Sequence, residues 1–185
     1  CGADPMIRKI VVLIALFGLI GVWAFGDTLF PVEPMQSGQV KVRDGDTLTM
    51  MGKDVRLYGI DAPEYKQICQ NSAGKNWSCG DVARQKLTAI IGNSEVVCLP
   101  KAVDKYNRTI ATCSTSTVPD IALALVEAGL ASNGVDGGEG PYAVSESLAQ
   151  VEKMGVWSGE FMTPADWRRA NPRQNAEAPN LQGKS

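Results

Sequence analysis

The order of elements along the chain predicts an α+β fold, a small five-stranded β-barrel with three helices. Three observations carry this. Short runs alternate apolar and polar residues, as half-buried strands do. One helical stretch is inserted after the third run. Two more helical stretches follow the last run. Periodicity alone fits other mixed folds as well.

Gly38 to Arg43 and Asp46 to Met50 read as strands around an Asp-Gly turn, with Val40, Val42, Leu48 and Met50 alternating with polar neighbours. Gly52-Lys53-Asp54 reads as a second turn, and Val55 to Ile60 as the third strand, ending at Asp61-Ala62-Pro63. Tyr65 to Cys79 is polar and irregular. Asp81 is a candidate N-cap for a helix to about Ile91, with Val82, Leu87, Ile90 and Ile91 on its apolar side. Glu95 to Leu99 and Thr109 to Ser114 are the last two strands. A second helix starts at Pro119 and ends near Gly129. After the glycine-rich break from Gly134 to Gly140, a third spans about Val144 to Met154.

The 185 residues suggest one domain with attachments. Cys1 to Pro5 precede Met6 and read as an appended or processing remnant. Residues 6–26 read as a membrane anchor or a signal peptide: Arg8 and Lys9 precede 17 uncharged residues, Ile10 to Gly26. Residues 27–37, with Pro31 and Pro34, read as a linker. The domain occupies 38–160, and 161–185 reads as a polar, partly disordered tail. This layout predicts a periplasmic or extracellular protein, anchored to the inner membrane or secreted.

Cysteine usage points the same way. Cys69, Cys79, Cys98 and Cys113 form an even set, as expected in an oxidising compartment. They allow three connectivities. The pairing expected is Cys69–Cys79, which closes a short loop, and Cys98–Cys113, which joins two paired strands. Beyond Gly26 the chain holds 16 Lys+Arg and 19 Asp+Glu. That balance is not that of a strongly basic nucleic-acid binder, so any such contact rests on a local patch.

The chain has no histidine. This excludes Ser-His-Asp and Cys-His catalysis, most zinc hydrolases and histidine-based RNA cleavage. What remains is concentrated in three stretches: Arg43-Asp44-Gly45-Asp46-Thr47, Arg56-Leu57-Tyr58-Gly59-Ile60-Asp61-Ala62-Pro63-Glu64 and Asp104-Lys105-Tyr106-Asn107-Arg108. Two carboxylates can hold a hard cation, a third can position water, and two guanidinium groups can clamp a phosphate. Together these specify a metal-dependent phosphodiesterase site. Alone, Asp44 and Asp46 would be read as turn formers, and Arg56 as a structural partner of Asp61 or Glu64. Trp77, near Cys79, is read as loop packing.

In this order and spacing, the three stretches resemble the thermonucleases, the staphylococcal-nuclease-like family of calcium-dependent nucleases on an OB-fold barrel. The resemblance covers roughly Val40 to Trp157 and includes the closing Lys153-Met154-Gly155-Val156-Trp157. It implies that Asp46 and Asp61 ligate the cation with the Ala62 backbone carbonyl, and that Asp44 supports them from behind. Glu64 becomes the general base or water-positioning group. Arg56 and Arg108 bind the reacting phosphate, while Lys105 and Tyr106 contact a neighbouring phosphate or sugar. The implied cofactor is calcium, ahead of magnesium, with no small-molecule cofactor. The implied partner is DNA or RNA, single strands preferred, with little sequence preference. A monomer is expected, in contact with a membrane only if the N-terminal segment stays uncleaved. The alternative is a catalytically weak or inactive binding module on the same fold, for which envelope or exopolysaccharide machinery is one setting. One departure bears on affinity. Where the family often carries substrate-facing tyrosines after Ala131, this chain has Ser132-Asn133-Gly134-Val135, with Tyr142 farther along.

Overall fold

Strand pairing begins earlier than the sequence pattern indicates. The computed structural model describes residues 33–134 and 140–172. The expected remnant and membrane or signal segment lie outside that range, as do the first part of the linker and the end of the tail. Met35–Ser37 (β1), within the expected linker, pairs antiparallel with Val96–Val103 (β8), setting Met35 opposite Cys98. The prolines before it mask this strand, but its edge position needs only a short run of free amides.

Val40–Val42 (β2), Thr47–Met50 (β3) and Lys53–Leu57 (β4) form an antiparallel meander. Met50 pairs with Lys53, so the hairpin turns at Met51-Gly52 rather than at Gly52-Lys53-Asp54. Thr109–Ser114 (β9) then joins β4 in parallel and β8 antiparallel. The expected end of β8 at Leu99 is too early. The strand runs on to Val103 because a bulge between Pro100 and Ala102 accommodates the proline.

The sheet therefore has six strands instead of five, in the order β1-β8-β9-β4-β3-β2. β1 and β2 are its two edges, yet only Gly38 and Gln39 separate them. Three Cα–Cα steps span at most about 11 Å. The two edges must therefore approach each other, and the sheet curls into a nearly closed barrel. Two small pairs complete the β structure: Ile60–Asp61 (β5) with Ser132–Asn133 (β10), and Cys69–Gln70 (β6) with Asn76–Trp77 (β7).

Among the described residues there are four helices rather than three: Cys79–Ile91 (α1), Ile121–Glu127 (α2), Ala143–Val151 (α3) and Pro164–Ala170 (α4). α1 buries Ala83, Leu87 and Ile91, spaced at i, i+4 and i+8, so Val82 faces outward. Asp120 caps α2 by accepting from the Leu123 amide at 3.0 Å. Barrel and helices share a core that includes Leu48, Met50, Val55, Leu57, Leu87, Val96, Ile121 and Leu125.

Both expected disulfides form. Cys69–Cys79 has a Cα–Cα distance of 5.7 Å and Cys98–Cys113 one of 4.1 Å. The first nucleates a small second cluster with Val156, against which Trp77, Trp157 and Phe161 pack. Trp77 is thus loop packing, as read from sequence. The second crosslinks directly paired residues of β8 and β9 in the main core.

Replacing Cys98 and Cys113 together by alanine should cost about 3 kcal/mol, the value for a closed loop of this length. Urea unfolding under oxidising conditions measures it. A loss under about 1 kcal/mol would show that β8–β9 pairing holds without the crosslink.

Candidate active site

The Asp-Gly-Asp turn leaves β2 and enters β3 with Asp46 almost fully buried, at 4% exposure. A buried carboxylate needs donors, and Asp46 has three. Oδ1 accepts from Arg56 Nη1 at 2.7 Å and from Thr47 Oγ1 at 3.0 Å, and Oδ2 accepts from the Ala62 amide at 3.0 Å. Asp44 folds back to accept from the Asp46 amide at 3.1 Å. Gly45, between them, lies where an added Cβ would come 2.7 Å from the Ala62 Cβ and 2.9 Å from the Ala83 Cβ. A side chain at this position would push the turn off both the β5 loop and α1.

Arg56 sits on β4, its partner across β3 being Thr47. Its second nitrogen, Nη2, donates to Asp61 Oδ1 at 2.7 Å and more weakly to the Ile60 carbonyl at 3.3 Å. One guanidinium thus bridges the two carboxylates expected to act together. Burial works against the Arg56 charge, but Asp46 and Asp61 outweigh it and hold the group protonated beyond its ordinary range.

Glu64 follows Pro63 and is set by two contacts. Its amide donates to Gln67 Oε1 at 3.1 Å, and α1 packs onto its backbone at Gly80. A Cβ at Gly80 would fall 1.7 Å from the Glu64 carbonyl oxygen, so only glycine allows this approach. Burial raises the Glu64 pKa, against the opposing pull of Arg168. Asp44 is pushed further, to about 7, by burial first and by the neighbouring Asp46 charge second.

Two contributors escape the sequence reading. The first is Arg168 on α4, within the stretch expected to be a polar tail. Nη1 donates to Asp61 Oδ1 at 2.9 Å and Glu64 Oε1 at 2.8 Å, and Nη2 to Asp61 Oδ2 at 2.8 Å. A signal was present. Thr163-Pro164-Ala165-Asp166 is a helix start, and the Thr163 side chain does accept from the Asp166 amide at 3.1 Å, with proline in the first turn. The second is Gln67, fully buried, whose Nε2 donates to the Met162 carbonyl at 2.6 Å while Oε1 holds Glu64. Nothing in its polar loop marks it in the sequence.

Arg108, Lys105 and Tyr106 form a separate group on the β8–β9 loop. Asp104 accepts from the Tyr106 amide at 2.8 Å, the Arg108 amide at 2.9 Å and Arg108 Nε at 2.7 Å, fixing the loop around one carboxylate. Lys105 Nζ and Arg108 Cζ lie 5.1 and 5.5 Å from the exposed Tyr106 ring. Arg108 precedes β9, on which Ile110 pairs with Arg56, so the loop opens from the strand beside the Arg56 strand.

The region after Ala131 also differs from expectation. Ser132 pairs with Asp61 and donates Oγ to its carbonyl at 3.0 Å, so this segment braces the site backbone. Tyr142 is buried at 7% exposure and donates its hydroxyl to Asp120 Oδ2 at 2.9 Å. It is a core residue and does not replace the missing tyrosines.

The staphylococcal nuclease homologue family profile matches residues 54–159, which takes in β4 after Lys53 together with Arg56, Asp61, Glu64 and Arg108. The chain belongs to this family. Its barrel is accordingly the family's OB-fold-like α+β fold. Among its relatives is the succinoglycan biosynthesis protein ExoI of Rhizobium meliloti, 32% identical over 66% of this chain and 65% of the relative. An uncharacterized endonuclease of Haemophilus influenzae is 31% identical over 70% and 71%. A micrococcal nuclease of Shigella flexneri is 28% identical over 71% and 79%.

The acidic residues suit a hard cation in type, since all their donors are oxygens. Among the described residues, however, no three carboxylates are disposed as a ready cation site. Guanidinium and amide donors occupy both oxygens of Asp46 and of Asp61.

The Asp44 pKa gives a pH prediction. Raised from 3.8 to about 7 in the folded protein, the carboxyl holds a proton that the unfolded chain releases at lower pH. Its contribution is complete below about pH 4 and is lost as pH rises through 7. Thermal midpoints in chelator should fall across this window in the wild type and fall less in Asp44→Asn. Identical slopes would remove Asp44 as the cause.

Proposed function

We propose that this nuclease-family protein is a calcium-dependent phosphodiesterase cleaving DNA and RNA, single strands best, with little sequence preference. The observation that carries the reading is the Arg56 bridge between Asp46 and Asp61, with Glu64 set beside the same cluster by Gln67 and by α1 at Gly80. A scaffold needs no such concentration of partly buried charge. Asp46 and Asp61 would hold the ion with the Ala62 carbonyl, and Asp44 would support them. Bound calcium would add Lewis-acid stabilisation of phosphate charge.

The chain's own residues do the rest. Arg56 and Arg108 bind the phosphate through planar forks that lysine does not reproduce. Glu64, with its raised pKa, takes a proton from the attacking water. Lys105 and Tyr106, at the loop tip, hold the flanking phosphate or sugar. The exported domain works in an oxidising compartment, periplasmic or extracellular, secreted or held by residues 6–26. Two disulfides and the uncharged run Ile10 to Gly26 support this.

A second reading, a binding module of low activity, has one observation in its favour. Arg168 already neutralises Asp61 and Glu64. The similarity to a protein named for succinoglycan biosynthesis is compatible with it.

Release of acid-soluble nucleotides from denatured DNA, with calcium and with chelator, separates the two. Arg56→Ala should lower turnover by about two to three orders of magnitude, a larger effect than on substrate affinity. Glu64→Gln should bind substrate and turn over slowly. A wild-type rate no higher than these variants would establish the binding module.

A further inference from the structure

Asp61 meets a density of positive charge that a cation ligand does not ordinarily tolerate. Its Oδ1 receives Arg56 Nη2 and Arg168 Nη1, and its Oδ2 receives Arg168 Nη2. The contact with Arg168 is a two-bond fork, the strong geometry for guanidinium and carboxylate. The same Nη1 also reaches Glu64 at 2.8 Å. One side chain from the end of the described chain therefore lies across the expected metal ligand and the expected base.

We propose that α4 is an autoinhibitory strap whose Arg168 serves as an internal cation on Asp61 and Glu64 and leaves when a divalent cation binds there. The inference rests on the cation reading of Asp46 and Asp61 given above. A guanidinium forked onto Asp61 and a divalent ion on the same oxygens repel each other, so the two states exclude one another.

The strap is built to be released. α4 has seven residues, too few to hold its helix without tertiary contacts. The Arg168 side chain is 37% exposed, so its charge moves into water on release without first crossing the core. The hinge is fixed on the other side. The Gln70 amide donates to the Glu160 carbonyl at 2.9 Å, Phe161 packs edge-on against Trp157 at 4.9 Å, and Gln67 grips the Met162 carbonyl. Movement is thereby confined to the segment after Met162. Gln67 also holds the Glu64 amide, so the hinge and the base share one buried side chain.

Two measurements on the full chain test this without using activity. Calcium titration by calorimetry should give about tenfold tighter binding for Arg168→Gln than for wild type. Arg169→Gln, altering an exposed neighbour paired with Asp166, should match wild type. In the wild type, calcium should also speed trypsin cleavage after Arg168 and Arg169, because an undocked α4 presents both. Equal calcium affinity in wild type and Arg168→Gln, with cleavage unchanged by calcium, overturns the strap and leaves the cation reading standing. Failure of both proteins to bind calcium overturns the cation reading and the strap with it. If Arg168→Gln does not fold, the wild-type cleavage rate decides alone: unchanged by calcium, it rejects the strap.

Discussion

Arg56 is the charge around which the site is assembled. Asp46 is nearly inaccessible to water, and an unpaired carboxylate there would cost several kcal/mol. It is tolerated because donors arrive from three places: Arg56 on β4, Thr47 on β3 and the Ala62 amide beyond β5. A single carboxylate thus ties together three consecutive segments of the chain. The other half of the guanidinium reaches Asp61, so the separation of the two carboxylates is set by the width of one arginine. Such a pair adds little net stability, since desolvation offsets most of the attraction. What it contributes is position.

The barrel makes this positioning possible. The β3–β4 register places Thr47 opposite Arg56, and the Leu57 amide continues the ladder to the Asp46 carbonyl at 2.8 Å. Tyr58 and Gly59 reverse the chain, and β5 is pinned by Ser132 from the far side of the sequence. Glu64 is held differently, by contacts that belong to no sheet. α1 presses on its backbone at Gly80, Gln67 binds its amide, and the Cys69–Cys79 crosslink keeps that loop against α1. The Asp46–Asp61 pair is therefore positioned by the barrel, and Glu64 by one crosslinked loop.

This division explains what the sequence revealed. Asp44, Asp46, Arg56, Asp61 and Glu64 lie within 21 consecutive positions on strands and turns with clear alternation, so their convergence was legible. Asp104 to Arg108 was legible as a loop, but its internal organisation around the Asp104 carboxylate was not, because hydrogen bonds to backbone amides leave no periodic trace. β1 was hidden by flanking prolines, which argue locally against a strand while the partner β8 decides the matter globally. α4 was hidden by composition. A polar, proline-containing segment is read as unstructured unless its cap is weighed more heavily than its hydropathy, and here Thr163, Pro164 and Asp166 outweigh it. Tyr142 shows the converse error, since an aromatic ring near a site in sequence need not face it.

The remaining question is how four acidic groups coexist in one fold. Asp44, Asp46, Asp61 and Glu64 bring four potential negative charges, and Arg56 and Arg168 bring two positive ones. Burial and the neighbouring Asp46 push Asp44 to about 7, so near neutral pH a proton on Asp44 is shared against the remaining excess. Arg168, drawn in by Asp61 and Glu64, has its own pKa driven upward and stays charged at any pH the protein meets. Beyond Arg56, the fold thus approaches balance by two means, a titratable proton and a tethered guanidinium. Both are positive charges that a divalent ion bound as proposed would make redundant. On the proposed cation reading, binding to this cluster would therefore be an exchange, the ion's affinity being its attraction to the carboxylates less the cost of displacing what already neutralises them.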